Sequence, residues 1–365
     1  MDSIYLAMYF LLLSLCFLDV PFNKNSSTKF GIFVLSFVIL FFPSGLRYDV
    51  GNDYFSYLDI FSKISEGNNV ETIYMEPLFK YLVYALRFFF EAETVFIFLA
   101  FSSLLMIAVV PIVFKTRFVS LFYILYFGML YFSFQNNVIR HGLACGFIWL
   151  AIYFFSERRN VSFFLCIILG SGMHAITMAF LPIIFLANKK IERITYFKVL
   201  LLSFLAYKLK FVTFVFSLLP SDGIFYKLYY YSQVFYSSSE LSTGFSAGFL
   251  LWFVIFLFFV IKRDFFETCI SKFRILLNLM FVSLVLQIIF HDVPIFYERI
   301  SSILNVANIL LLSSVIFSKS DKKYYLVLFI FIPIYALLLL QVNLLSRGIN
   351  GKALQYLPYN SIGIF

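Results

Sequence analysis

The chain has 365 residues, of which 62% are hydrophobic and only 13% are charged. A water-soluble domain carries about 25% charged residues, so this composition excludes a soluble enzyme and indicates an integral membrane protein. The net charge of +9 falls in short loops between apolar segments, a pattern typical of polytopic membrane proteins and not of nucleic-acid-binding proteins.

Long continuous apolar segments predict α-helices, because a bilayer core about 30 Å thick requires roughly 20 apolar residues for each helical crossing. We predict an all-α polytopic integral membrane protein, a bundle of about 12 transmembrane helices that forms a single transmembrane domain over residues 1–365. The predicted helices cover residues 3–20, 30–46, 94–114, 118–134, 138–156, 161–173, 175–188, 196–219, 244–261, 273–290, 300–317 and 323–343.

Lysine and arginine cluster in alternate loops, which the positive-inside rule places on the cytoplasmic side. The other loops, 44–93, 135–140, 220–243 and 291–299, then face the outside together with both termini. Residues 44–75 of the first outer loop are rich in acids, with five against two bases. Loop 220–243 is rich in tyrosine and serine, which suits sugar stacking but also occurs where tyrosines form a belt at the membrane interface.

Segment 77–90 is apolar enough to resemble a further crossing, which would invert every later loop. One of its helical faces, however, carries Lys80, Tyr84, Arg87 and Glu91. We therefore predict an amphipathic helix that lies on the outer surface within the first outer loop.

Segment 161–188 has basic residues just before and just after it, so both of its ends can be cytoplasmic only if it turns back. We expect the turn at Gly170, Ser171 and Gly172, because glycine tolerates the backbone of tight turns. The sequence therefore predicts a hairpin of two short helices with His174 near its tip.

The most informative stretch, residues 44–76, follows the second apolar segment and is called the signature loop below. It places Arg47 close to Asp49 and Asp53 at a predicted membrane boundary. Ionisable groups at such a boundary are costly, so they usually pair with one another or serve a substrate. The simpler alternative is that the two aspartates face water.

Other polar residues from separate segments fall on the same predicted outer face. They are Arg140, His141, His174, His291, Asp292, Glu298, Arg299, Arg347 and Lys352. Several have a simpler interpretation, since Arg140 can extend to lipid headgroups, His174 can cap a carbonyl, and Glu298 can pair with Arg299 in solvent. Their convergence on one side is more specific than any single residue.

This set suits glycosyl transfer from a lipid diphosphate. Arg47, Arg140 and Arg299 are suited to bind a diphosphate and to stabilise it as a leaving group. A carboxylate, Asp53 or Asp49 with Asp53 preferred, would take the proton of an attacking sugar hydroxyl. The chain has no nucleotide or metalloenzyme fingerprint, so we predict no cofactor and assign no metal site. A divalent cation bound by the acid-rich loop stays an open alternative.

Several motifs resemble those of a known family, the EpsG-like group of O-antigen and exopolysaccharide polymerases of the Wzy type. The run Gly45–Tyr54, followed by Tyr57 and Glu76–Leu78, resembles the N-terminal signature of this family. The run Val138–Ala144 also matches, although His141 stands where the family usually has glutamine. Later matches, in order, are the apolar pattern around His174, the run Tyr297–Ile300 and the terminal run Leu357–Tyr359.

The resemblance implies a multi-pass protein of the bacterial inner membrane whose active face is periplasmic. Such polymerases transfer a growing glycan from undecaprenyl diphosphate onto a new lipid-linked repeat unit. Their implied partners are this lipid-linked oligosaccharide, membrane lipid, a flippase and a chain-length regulator, without nucleic acid. The catalytic residues would be Asp53, Asp49, Arg47, Arg140 and His174. The substrate-binding residues would be Arg299, Tyr54, Tyr57, Glu76, His141 and Tyr359.

Two other functions share the need for outward-facing cations. A flippase of lipid-linked oligosaccharides needs polar residues at several depths of the membrane, often in paired repeats. Such residues are few here, and no repeat is seen. An O-antigen ligase differs in its product, because its loss leaves finished polymer that is not attached to a lipid core.

Overall fold

The computed structural model describes residues 2–22, 25–65, 73, 75–218, 245–292, 294–315, 323–345 and 354–362. The predicted outer loop 220–243 lies outside these residues. Within the described part, the regular structure is helical and contains no β-strand. The predicted fold class is therefore confirmed as α-helical.

The described helices follow one another along the chain as listed here. They are α1 (Ser3–Phe22), α2 (Ser26–Gly45), α3 (Tyr54–Ser65), α4 (Pro77–Arg87), α5 (Ala92–Ala108), α6 (Val110–Val113), α7 (Val119–Met129), α8 (Ile139–Ser156), α9 (Asn160–Met173), α10 (Ile176–Ala187), α11 (Arg193–Lys208), α12 (Phe211–Ser217), α13 (Ala247–Ile261), α14 (Arg263–Cys269), α15 (Phe273–Ile289), α16 (Pro294–Ser314) and α17 (Lys323–Leu344). A π-helical turn, Phe132–Asn137, lies between α7 and α8.

The chain divides into two compact units. The first comprises Met1–Ile184 and Leu312–Phe365, and the second comprises Phe185–Leu311. In the first unit α5 packs between α2 and α8, and α8 packs against α9. Most of the residues predicted to form the functional site belong to this first unit.

In the part of the chain that the structure describes, three segments are long and apolar enough to cross a membrane: Ser26–Gly45, Ala92–Val113 and Ile139–Ser156. Helices α11 and α12 also qualify together, but they are bent by 55° relative to each other. Several shorter apolar helices accompany them, so the chain has the character of a multi-pass membrane protein. The total of about 12 crossings stays a prediction.

Helix α3 lies inside the stretch that was predicted to be an outer loop. Its buried face consists of Tyr54, Tyr57, Phe61 and Ile64. This spacing of three and four residues is helical, and it is the sequence signal from which α3 can be found. The face belongs to a hydrophobic cluster that includes Phe79 of α4 and Phe96 of α5, so α3 is anchored to both helices.

Helix α4 forms where the amphipathic helix was predicted, but not all of its predicted polar face is exposed, and its place on the outer surface stays a prediction. Lys80 is only 9% exposed, whereas Tyr84 is 51% exposed. Phe79 and Val83 are fully buried, and α4 packs against α3 and α9. This packing gives Glu76, the residue that precedes α4, a defined position.

Segment 161–188 contains two short helices, but the predicted turn at Gly170–Gly172 is wrong. Helix α9 continues through these glycines to Met173, and the break falls at His174 and Ala175. A Cβ on Gly172 would lie 2.6 Å from the Cβ of Leu78. Glycine is therefore needed for the close approach of α9 to α4 and not for a turn.

Candidate functional site

Three elements bring Glu76, Arg140 and His174 together. Glu76 precedes α4, Arg140 lies in the first turn of α8, and His174 follows α9. Arg140 Nη1 donates a hydrogen bond to Glu76 Oε2, and the backbone N–H of Ala175 donates to Glu76 Oε1 at 3.2 Å. His174 Nδ1 lies 3.6 Å from the same Oε1 atom. Glu76 thus connects the ends of three helices.

Tyr57 and His141 complete this group of five residues, which we call the Glu76 cluster. Arg140 donates a hydrogen bond to the hydroxyl of the buried Tyr57. The ring centroids of His141 and His174 are 5.5 Å apart. The resemblance alone placed Glu76 and His141 at the substrate, and the structure brings both into contact range of Arg140 and His174.

The contacts within the Glu76 cluster decide the charge states of Glu76 and Tyr57. Burial raises the pKa of Glu76, but the Arg140 guanidinium, backbone N–H groups and His174 outweigh burial and hold this pKa below its usual range. Burial raises the pKa of Tyr57, and Arg140 offsets only part of that rise. At neutral pH Glu76 is therefore a carboxylate and Tyr57 is a neutral phenol.

We expect Glu76→Gln to lower thermal stability at pH 7 and to change its pH dependence. The Arg140 side chain is only 23% exposed, so an unpaired guanidinium there costs about 1–3 kcal/mol. Because folding lowers the pKa of Glu76, its contacts stabilise the fold above the ordinary carboxyl pKa. That contribution is lost as the pH falls through the lowered value. The wild type and the variant should therefore converge in acid.

Thermal unfolding of the detergent-solubilised protein across this pH range measures the effect. The matched control is Asp59→Asn, which removes a pair with Lys63 whose side chains are 59% and 56% exposed. Pairs of this kind contribute about 0.5 kcal/mol or less. Equal losses in the two variants would contradict the structural role of Glu76.

Arg47 lies near this cluster and its side chain is completely buried. Its Nη1 donates to Asn136 Oδ1 at 3.2 Å, and its guanidinium carbon lies 4.6 Å from the centroid of the Phe96 ring. Burial lowers the pKa of Arg47 to about 10, so the group stays cationic at neutral pH. Tyr57 interacts electrostatically with both Arg47 and Arg140, which places the two arginines in one neighbourhood.

Arg47 has unused hydrogen-bonding capacity. Its Nε and Nη2 atoms have no hydrogen-bond partner among the residues that the structure describes. Buried donors are normally satisfied, and an exception calls for an explanation. A guanidinium with two free donors is suited to an anionic oxygen such as that of a phosphate.

The signature loop is held in place by the π-helical turn. This turn replaces the end of the predicted helix 118–134, and π-helical turns occur frequently at functional sites. Gly51 has a φ of 90° and packs against the carbonyl of Asn136. The N–H of Asn52 donates to Asn137 Oδ1 at 2.9 Å. Amide side chains of the turn thus orient the loop that carries Arg47.

The tail, residues 354–362, runs antiparallel to the signature loop. The N–H of Tyr48 donates to the carbonyl of Asn360 at 2.8 Å, and the N–H of Ile362 donates to the carbonyl of Leu46 at 2.7 Å. The tail therefore covers the loop on either side of Arg47. Sequence patterns do not show this pairing, because it joins residues that are more than three hundred positions apart.

Tyr359, which was predicted to contact substrate, belongs to this tail. Its N–H donates to Asp2 Oδ2 at 2.5 Å, and its ring lies 5.8 Å from that of Tyr5. Burial raises the pKa of Tyr359 to about 12, and nearby Arg47 opposes this rise. The tail thus brings Tyr359 into the neighbourhood of Arg47.

Asp49 and Asp53 are half-buried on the signature loop. Asp53 directly precedes α3, a position where aspartate also commonly caps a helix, and its carbonyl accepts the N–H of Tyr57 at 3.0 Å. Asp53 interacts electrostatically with Tyr57, which contacts Arg140. The carboxylate bonded to Arg140 is Glu76, whereas catalytic roles for the two aspartates stay predictions.

Arg299 lies at an exposed position of α16 in the second unit. Its predicted convergence with Arg47 and Arg140 therefore stays a prediction.

Three residues near Arg47 were not selected from the sequence: Phe96, Asn136 and Asn137. For Asn136 and Asn137, the available sequence signal was the run of amides that ends one apolar segment, since such groups are costly in apolar surroundings.

Among the described residues, no group of three His, Cys, Asp or Glu side chains is arranged to hold a metal ion.

Comparison with known proteins agrees with the motif order found above. A model of the EpsG family matches residues 30–361, which include the signature loop, the Glu76 cluster and most of the tail. No curated protein and no solved structure matches the chain. The family match alone therefore carries the functional comparison.

Proposed function

Because the chain belongs to the EpsG family, we propose that it is a membrane-embedded polysaccharide polymerase. In this proposal it transfers a glycan from undecaprenyl diphosphate onto a new lipid-linked repeat unit. The reaction takes place at the periplasmic face of the inner membrane. A flippase supplies the substrate and a chain-length regulator acts with the polymerase.

The observation that carries this proposal is the position of two arginines around one buried tyrosine. Arg140 is paired with Glu76 yet remains 23% exposed, while Arg47 is buried and two of its donors have no partner among the described residues. Two guanidinium groups in one neighbourhood match the two phosphates of a lipid diphosphate. Their charge stabilises the diphosphate as it leaves.

The proton of the acceptor hydroxyl requires a base. Glu76 is a weak candidate, because its contacts with Arg140 lower its pKa and hence its basicity. We assign the base to Asp53, with Asp49 as the alternative. The hydroxyl oxygen then attacks the anomeric carbon, the bond from this carbon to the diphosphate oxygen breaks, and the proton passes to the carboxylate.

The remaining predicted residues take supporting roles in this proposal. His174 holds the diphosphate with the two arginines, whereas Tyr54, Tyr57, His141 and Tyr359 shape the space for the sugars. Arg299 is kept as a substrate-binding residue on the family resemblance alone. Glu76 orients Arg140 through their direct hydrogen bond. These roles follow the family resemblance together with the contacts described above.

The test is the surface glycan of a strain that lacks the gene, resolved on a gel beside the complemented strain. We expect a band of lipid core with one repeat unit in the deletion strain and a ladder of longer chains after complementation. Finished polymer that is not attached to core would indicate a ligase. Loss of even the single-repeat band would indicate a flippase, and either result would overturn the proposal.

A further inference from the structure

A cleft of about 580 Å³ opens next to the signature loop in the first unit. Three separate parts of the chain form its walls: the signature loop, the start of α5 and the tail. The lining residues are Tyr48, Glu91, Glu93, Thr94, Ser361 and Ile362. A volume in this range is typical of small-ligand sites.

The cleft adjoins the neighbourhood of Arg47. The Tyr48 ring packs edge-on against Tyr54 with centroids 5.8 Å apart, and Glu93 interacts electrostatically with Tyr54. The Tyr54 ring in turn lies 5.1 Å from that of Phe96, which faces the Arg47 guanidinium. A chain of aromatic contacts thus connects the cleft with the proposed diphosphate site.

The chemistry of the cleft differs from that of the arginine neighbourhood. Glu91 and Glu93 repel an anion such as a diphosphate, but their oxygens accept hydrogen bonds from sugar hydroxyl or amino groups. The Tyr48 ring is 46% exposed and offers a flat apolar surface of the kind on which a sugar ring can pack. The hydroxyls of Thr94 and Ser361 add donors and acceptors.

Acids at the start of α5 have a simpler explanation, because carboxylates near a helix N-terminus are stabilised by the helix dipole. Glu91 precedes α5 and makes no capping hydrogen bond with its side chain, while Glu93 lies in the first turn. The dipole accounts for an acid at this end of the helix. It does not account for the exposed tyrosine or for the wall that the tail contributes.

We propose that this cleft binds the terminal sugars of the acceptor glycan, as neutral or amine-bearing residues. The inference rests on the proposed function and adds that the donor and the acceptor bind at separate subsites. The cationic neighbourhood of Arg47 and Arg140 holds the donor's diphosphate, and the acidic cleft holds the acceptor's sugars. The tail becomes part of the acceptor site, because Ser361 and Ile362 form one of its walls.

The experiment uses the full-length protein in detergent and two probes. The first is the free repeat-unit oligosaccharide, released from the host's lipid carrier by mild acid, and the second is inorganic diphosphate. Saturation-transfer NMR titrations give the affinity for the oligosaccharide, and isothermal titration calorimetry gives the affinity for inorganic diphosphate, which has no carbon-bound proton. The test variants are Tyr48→Ala and Glu93→Gln. The matched controls are Tyr84→Ala, whose ring is 51% exposed on α4, and Asp59→Asn.

We expect each test variant to bind the oligosaccharide about tenfold more weakly than the wild type, with unchanged affinity for diphosphate. The controls should bind both probes like the wild type. Arg140→Ala should show the reverse pattern, with weaker diphosphate binding only. Wild-type affinity for the oligosaccharide in both test variants would overturn the inference, as would an absence of binding by the wild type at millimolar oligosaccharide.

Failure of the polymerase proposal gives a different result. If the deletion strain still makes a normal ladder, the proposed function is wrong, whatever the titrations show. If polymer depends on the gene but the cleft variants bind and polymerise normally, only the acceptor site is wrong. The two ideas are therefore judged by separate measurements.

Discussion

Arg140→Ala is expected to reduce long-chain polymer by about 100-fold or more, while core with a single repeat unit still reaches the surface. Removal of one donor that stabilises developing charge typically costs about 10²–10³ in rate. Arg140 fits this role because Glu76 and Tyr57 orient its guanidinium while the side chain remains partly exposed. The gel profile of surface glycan, normalised to protein level, measures the effect.

Two further variants distinguish a catalytic role of Arg140 from simple contact of its side chain with lipid headgroups. Arg140→Lys keeps a charge that can extend to headgroups but loses the planar fork, so an intermediate loss is expected. Arg193→Ala removes an exposed pair with Asp264 in the second unit and should leave the ladder unchanged. A normal ladder in Arg140→Ala at wild-type protein level would contradict the assignment.

Gly51→Ala is expected to disrupt the signature loop and to abolish polymer. Gly51 has a φ of 90°, and an added Cβ would lie 1.9 Å from the carbonyl oxygen of Asn136. The loop must move away, which breaks the hydrogen bonds from Arg47 to Asn136 and from Asn52 to Asn137. Backbone strain and overpacking each cost about 1–3 kcal/mol. Thermal unfolding in detergent measures the loss of stability.

Gly31→Ala provides the matched control for this prediction. A Cβ on Gly31 would have no heavy atom within 4 Å, and alanine is favoured over glycine inside a helix by about 0.5–1 kcal/mol. This variant of α2 should therefore be as stable as the wild type or more so. If Gly51→Ala is as stable as Gly31→Ala, the loop does not depend on its contact with the π-helical turn.

Much of the helical architecture could be predicted, because each helix leaves a local signal. Apolar length predicted α2, α5 and α8, and polar residues on one side of a short segment predicted α4. The π-helical turn was missed, since its hydrogen bonds depend on local geometry and an apolar run looks the same with or without it. The glycines of α9 were assigned to a turn, because close helix packing and tight turns favour the same residue.

The sequence by itself determined which residues are candidates for function, because charged and amide groups are rare in an apolar chain and costly unless they are used. Arg47, Glu76, Arg140 and His174 were all selected in this way or by motif order. Only the tertiary structure decided which of them meet. The pairing of Glu76 with Arg140 requires α4 to pack near the start of α8. The backbone pairing on either side of Arg47 requires the tail, which is distant from the signature loop in sequence. Such contacts arise from the packing of distant segments, which no local pattern of residues records.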